Sequence, residues 1–139
     1  MTLIEVLLVT AIIGLLFTCI FHIGEKVWDN HLLKITANEI KSALYLAQQL
    51  SIDESRDYGL ELLTDNFRIR EQVFRGRIPF RQEINSRIKV MPGSSPRVIY
   101  NRHGNSNYGF FILTNKHGMK IKIEVMIGTG KVQISDIYK

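Results

Sequence analysis

The chain opens on 23 residues with almost no polar relief. The segment MTLIEVLLVTAIIGLLFTCIFHI holds one acid, Glu5. From Val6 to Ile23 it carries no carboxylate, lysine or arginine, and only Thr10, Gly14, Thr18 and His22 break the apolar run. A helix that is apolar on every face belongs in a bilayer or in a bundle of its own copies. At a rise of about 1.5 Å per residue, the stretch from Val6 to Ile23 covers roughly 27 Å, close to the hydrocarbon thickness of a membrane.

Beyond it the pattern becomes one-sided. Leu33, Ala37, Ile40, Leu44, Ala47 and Leu50 recur at spacings of three and four, with Ala43 beside them, while Lys34, Asn38, Glu39, Lys41, Gln48 and Gln49 take the other faces. No proline precedes Pro79, so one helix is predicted from near Met1 to about Ser51, a rod of roughly 75 Å. Gly14 and Gly24 are its weak points, each costing about 1 kcal/mol relative to alanine.

From Tyr58 the period changes to two. Residues 58–63 and 67–70 read as a hairpin about Thr64-Asp65-Asn66. Residues 73–86, rich in arginine and holding Gly76 and Pro79, read as a loop or an irregular edge. Ile84, Ile88 and Val90 suggest a further strand, ended by Pro92-Gly93-Ser94-Ser95-Pro96. Short runs at 97–101, 108–114, 119–127 and 131–134 follow, separated by turn-prone segments. The expected class is α+β, an antiparallel sheet folded over the second half of a long helix. Its parts are an apolar half-helix at 1–25, an amphipathic half-helix at 26–52 and a β-sheet head at 53–139.

Composition changes the picture in two ways. The lone cysteine, Cys19, lies inside the apolar run, so no intramolecular disulfide forms and the head must hold together by packing. The net charge of +5 hides an asymmetry: residues 1–65 carry a net −5 and residues 66–139 a net +10. Charge divided in this way speaks to partners rather than to fold.

Candidate chemistry is sparse. His22, His31, His103 and His117 have no metal-ligand spacing, and His103 and His117 fall in turns, where exposure is expected. His22 reads as a helix-packing or headgroup residue. Asp53, Glu54 and Asp57 cluster at the expected helix end without the glycine-centred loop of a calcium site. No glycine-rich loop opens a helix, and the serines near histidines lack a carboxylate pattern. The reading is of a protein that is not an enzyme, with no cofactor and no metal. The suggestive feature is a basic run: Arg68, Arg70, Arg75, Arg77, Arg81, Arg87, Lys89, Arg97 and Arg102, interleaved with Phe67, Phe74, Phe80 and Tyr100. Such a surface suits a polyanion, DNA included. It equally suits a solvated sheet face, or contact with the acidic half of a neighbouring copy.

Glu5 has two readings on physical grounds. A carboxylate at the edge of a spanning helix is costly and tends to be paired, yet a helix N-terminus tolerates it in the headgroup layer. A cleaved secretory signal is disfavoured by the lack of a basic start and of a small-x-small site after the apolar run. The pattern Thr2-Leu3-Ile4-Glu5-Val6-Leu7 resembles the N-terminus of type IV pilins and pseudopilins, with Met1 where phenylalanine is usual. The order RIKVMPG, RVIYNRHGNSNYGFFIL and MKIKIEVMIGTGKVQI resembles the H-type minor pseudopilins of type II secretion (the GspH/FimT family) and the related minor pilins of Gram-positive competence systems.

The resemblance implies a filament subunit. Met1 would be the processed and methylated N-terminus, and Glu5 would pair with the terminal amine of an adjacent subunit. The chain would sit once through the cytoplasmic membrane with its C-terminal domain outside, then move into a filament at the cell surface. Implied partners are other copies and other pilins, the prepilin peptidase/methylase, an assembly ATPase with its membrane platform, and membrane lipid before assembly. A DNA-binding minor pilin of natural transformation is the alternative.

Overall fold

The computed structural model describes residues 2–139, His22 by its backbone alone. One helix, α1 (Leu3–Asp53), runs for 51 residues. The strands follow as β1 (Tyr58–Leu62), β2 (Asn66–Glu71), β3 (Phe80–Glu83), β4 (Ile88–Val90), β5 (Arg97–Tyr100), β6 (Gly109–Asn115), β7 (Lys120–Val125) and β8 (Val132–Ile134). The α+β class expected from the periodicities is the one observed.

The strands form two four-stranded antiparallel sheets rather than one. The first has the order β3-β2-β1-β5 and the second β4-β6-β7-β8. The Pro92–Pro96 linker carries the chain from β4 in the second sheet to β5 in the first, a crossover that strand patterning alone does not encode. Residues 73–86 are in part the sheet edge, because β3 lies within them at the margin of the first sheet. Its polar Phe-Arg-Gln-Glu sequence hides it, but Phe67 faces Gln82 in register and the Phe80 ring packs 6.1 Å from that of Phe67. Ile84 falls between strands, its N–H donating to the Asp65 carbonyl at 2.8 Å.

Both sheets pack on the second half of α1. Leu33, Ala37, Ile40, Leu44 and Ala47 are completely buried, whereas Leu50, at the end of the expected stripe, is half-buried. Facing them are Tyr58, Leu60, Phe67 and Ile69 from the first sheet and Phe111, Leu113, Ile121 and Ile123 from the second. Each large apolar side chain buried there stabilises the fold by about 1.5–3 kcal/mol. The alanines in the stripe let the sheets approach the helix closely.

The turn between β7 and β8 explains its glycine. Gly130 has φ +68°, and a Cβ there would lie 2.6 Å from Tyr100 Cε1 and 2.9 Å from Gln48 Nε2. Gln48, reaching out from the helix, donates to the Gly104 and Thr129 carbonyls at 2.8 and 3.0 Å, tying two loops to α1.

Candidate assembly and membrane-facing surface

The first half of α1 is bare until Glu25, which meets Lys116 of the head. Every described side chain from Leu3 to Trp28 is exposed, including Leu3 at 83%, Phe21 at 74% and Trp28 at 58%. The hydroxyls along it turn inward: Thr10 donates to the Val6 carbonyl at 2.9 Å and Thr18 to that of Leu15 at 2.7 Å. Such back-bonding satisfies both threonine hydroxyls without water, which suits a segment surrounded by hydrocarbon. Gly14 and Gly24 have open space where a Cβ would stand.

Glu5 is the third residue of the helix, and its Oε2 accepts the Thr2 N–H at 3.4 Å, one half of a capping box. Sequence reading set a boundary role against a pairing role and did not anticipate this third part for the acid. Met1 and the His22 side chain lie outside the described residues, and with them the terminal amine proposed to answer Glu5.

Where the helix enters the head, a cluster gathers that sequence reading missed. Asp29 is fully buried, with Oδ1 accepting from Arg87 Nη1 at 2.9 Å. Its Oδ2 lies 3.1 Å from His117 Nε2 and 3.7 Å from Lys116 Nζ. Lys116 also bonds Glu25. Asn115, at the turn after β6, donates to Asn30 Oδ1 at 2.9 Å and accepts the His117 and Met119 N–H groups. Burial pushes the Asp29 carboxyl up, but the Arg87 hydrogen bond and the charges of Lys116, Arg87 and His117 outweigh it and hold it below its ordinary value. The Lys116 hydrogen bond holds Glu25 down likewise. His117 is exposed in its turn, as expected, but its Nε2 also closes on a buried acid, which sequence reading did not disclose. The signal was available: Asp29 stands four residues before Leu33 and so continues the buried stripe downward.

A second cluster closes the other end of the helix. Glu54 accepts from Tyr58 and Arg77 at 2.6 Å each, and Arg77 donates to the Tyr58 hydroxyl at 2.9 Å. These bonds, from Tyr58 first, hold the Glu54 carboxyl low, while burial and the bond to Glu54 push the Tyr58 phenol up. Asp57 accepts the Arg102 backbone N–H and Asp53 the Gln49 amide. Among the described residues no group of three metal-ligating side chains converges.

The basic run is dispersed by the fold. Arg81, Arg68 and Arg97 form a row across the outer face of the first sheet, with Glu61 between Arg68 and Arg97 and bonding Arg68 at 2.7 Å; Arg70 lies on the same face. Arg77 and Arg87 are drawn into the two helix clusters, and Lys89 lies on β4 of the second sheet. Arg75, with φ +57°, stands over the Phe74 ring on the loop before β3, and Arg102 lies in the loop after β5. The division of charge along the chain, expected to speak to partners, is in good part spent within the molecule. Arg68, Arg77, Arg87 and Lys116 from the basic half meet Glu61, Glu54, Asp29 and Glu25 from the acidic half.

A long helix clasped in its second half by antiparallel sheets is a pilin-like α+β fold. Solved structures with that fold match this chain. The minor pseudopilin EpsH of the Vibrio cholerae type 2 secretion system superposes with a TM-score of 0.61 at 11% identity, over 75% of this chain and 96% of its own. Escherichia coli GspH gives 0.61 at 13%, over 76% and 89%. The Pseudomonas aeruginosa type IV minor pilin FimU gives 0.58 at 12%, over 74% and 87%. At these identities the likeness is one of fold. No protein-family model and no curated protein matches the chain.

Proposed function

We propose that this chain is a minor structural subunit of a type IV pilin-like filament. The observation that carries the reading is the bare first half of α1, apolar on all sides and joined to a head with the pseudopilin fold. Residues 1–25 anchor the chain in the cytoplasmic membrane with the head outside, and on assembly they pack against the same segment of neighbouring subunits. Residues 26–52 carry the head at 53–139. In this reading Met1 is the processed, methylated terminus acted on by the prepilin peptidase/methylase. An assembly ATPase with its platform and other pilins complete the machine, whether it serves a type IV pilus, type II secretion or competence.

Glu5 sets the register, because a carboxylate entering an apolar core is tolerated only when a neighbour's amine answers it. Glu5→Ala should leave the membrane fraction unchanged and abolish incorporation into filaments. Normal incorporation of that variant would remove Glu5 from the mechanism.

The polyanion reading is favoured by one feature, the Arg81-Arg68-Arg97 row, spanning roughly 14 Å across four strands. DNA capture by this face predicts a gel shift of the full chain in neutral detergent that fades with salt and with Arg81→Gln/Arg97→Gln. No shift at low salt ends that reading.

A further inference from the structure

The lower edge of the head lies close to the end of the apolar run. Lys116, in the turn between β6 and β7, bonds Glu25, and Arg87, just before β4, bonds Asp29. Glu25 and Asp29 stand two and six residues past Ile23, which places them about 3 and 9 Å above it along the helix axis. With the span from Val6 to Ile23 filling the hydrocarbon, those heights run from within the headgroup layer, roughly 5–7 Å deep on each side, to just above it.

The chemistry at this level is that of an interface. Trp28, the only tryptophan, is exposed there and tilts against His31 with ring centroids 6.3 Å apart. Amphipathic aromatic rings gather at headgroup level, where one edge is wet and the other apolar. Beside it a cleft of about 540 Å3, mostly apolar, is lined by Ile20, Phe21, Gly24, Glu25, Trp28 and Arg87. It runs from the oily helix up to the guanidinium. Lys26 is exposed on the helix, and Lys120 opens β7 directly above the turn that holds Lys116. On this edge Lys26, Arg87, Lys116 and Lys120 outnumber Glu25 and Asp29.

We infer that the underside of the head is a phospholipid-docking surface. In the anchored chain Lys26, Lys116 and Lys120 meet lipid phosphates, Trp28 sits at the glycerol level, and the buried Asp29 fixes Arg87 and the β6–β7 turn in place above the bilayer. The inference rests on the membrane-anchored state proposed above. It adds that the head lies down on anionic lipid rather than standing clear of it, so that leaving the membrane also means breaking this contact.

The test uses the full chain in vesicles, with Cys19→Ser as background and a fluorophore at Ser86→Cys on the lower edge or at His103→Cys on the opposite end. Flotation with the vesicles after alkaline wash reports insertion. A quencher attached to lipid headgroups reports docking. The Ser86 label should be quenched in phosphatidylcholine vesicles containing phosphatidylglycerol, and the His103 label should not. Lys26→Gln and Lys120→Gln, neither of which touches the Asp29 cluster, should each lower the docked-to-free ratio about fivefold on the anionic vesicles. Equal quenching at both sites overturns the surface. So does quenching indifferent to both lysine changes and to phosphatidylglycerol, or a chain that floats with an unquenched Ser86 label. A chain that does not float overturns the anchor itself, and that outcome is read separately.

Discussion

Replacing Asp29 by asparagine tests how the head is held to its stem. The side chain is buried, shaped like the replacement, and its charge is answered by Arg87, Lys116 and His117 from two segments of the head. Asparagine keeps an acceptor for Arg87 but turns an amide donor toward Lys116 or His117. A hydrogen bond to a charged group is worth about 1.5–3 kcal/mol. Arg87 and Lys116 are each 44% exposed, so water takes over part of their solvation and the expected loss is about 1–2 kcal/mol. For a head with its half-helix that lowers the melting midpoint by roughly 5 °C. Thermal unfolding of the full chain in detergent, followed by the fluorescence of neighbouring Trp28, measures it. The pH dependence identifies the cause. Asp29 and Glu25 are held below their ordinary values, so their contribution is complete above the ordinary carboxylate range and is lost as the pH falls through their lowered values. The gap between wild type and Asp29→Asn should stand at pH 7 and close below about pH 4. An equal midpoint at neutral pH, or a gap that persists in acid, would refute the argument.

Other expectations concern packing and the far cluster. Gly130→Ala places a methyl against Tyr100 at positive φ and should cost roughly 2 kcal/mol or more by denaturant unfolding. Leu44→Ala, in the centre of the helix stripe, should cost about 2–5 kcal/mol by the same measurement. Glu54→Gln should lower the midpoint at pH 7 and leave it unchanged in strong acid, because Tyr58 and Arg77 hold that carboxyl low in the native state.

What the sequence disclosed follows from how local each signal is. The helix was legible from Leu33 to Ala47 because burial repeats every three or four residues, and the β1–β2 hairpin because a polar turn separates two alternating runs. The division into two sheets was not legible. β4, β5 and β8 have three or four residues each, too few for alternation to say which neighbour each will join. β3 was legible only as an irregular edge, because an edge strand needs only one buried face, and Phe80 alone supplies most of it. The bare first half of the helix is where pattern placed it, with Glu5 in its first turn. The basic run was read as one surface because residues close in sequence were taken as close in space, and the fold spreads them over both sheets and both ends of the head.

The acid at position 29 shows what the charge asymmetry is for. A net −5 in the first 65 residues and +10 in the rest would suggest a molecule seeking an outside partner, yet the acids at the two ends of the clasped helix are met from within. Glu25 and Asp29 are bound by the second sheet's turn and by the residue before β4, and Glu54 by the loop before β3. These clusters are about 40 Å apart along the helix, with the apolar stripe between them. The stripe supplies attraction but little axial register, since alanines and leucines recurring every three or four residues can slide by a turn at modest cost. Two separated ion clusters cannot slide, because a one-turn shift strands a buried carboxylate at one end and unpairs an arginine at the other. In the filament proposed above, fixing the head's height on the helix would fix where the head stands along it.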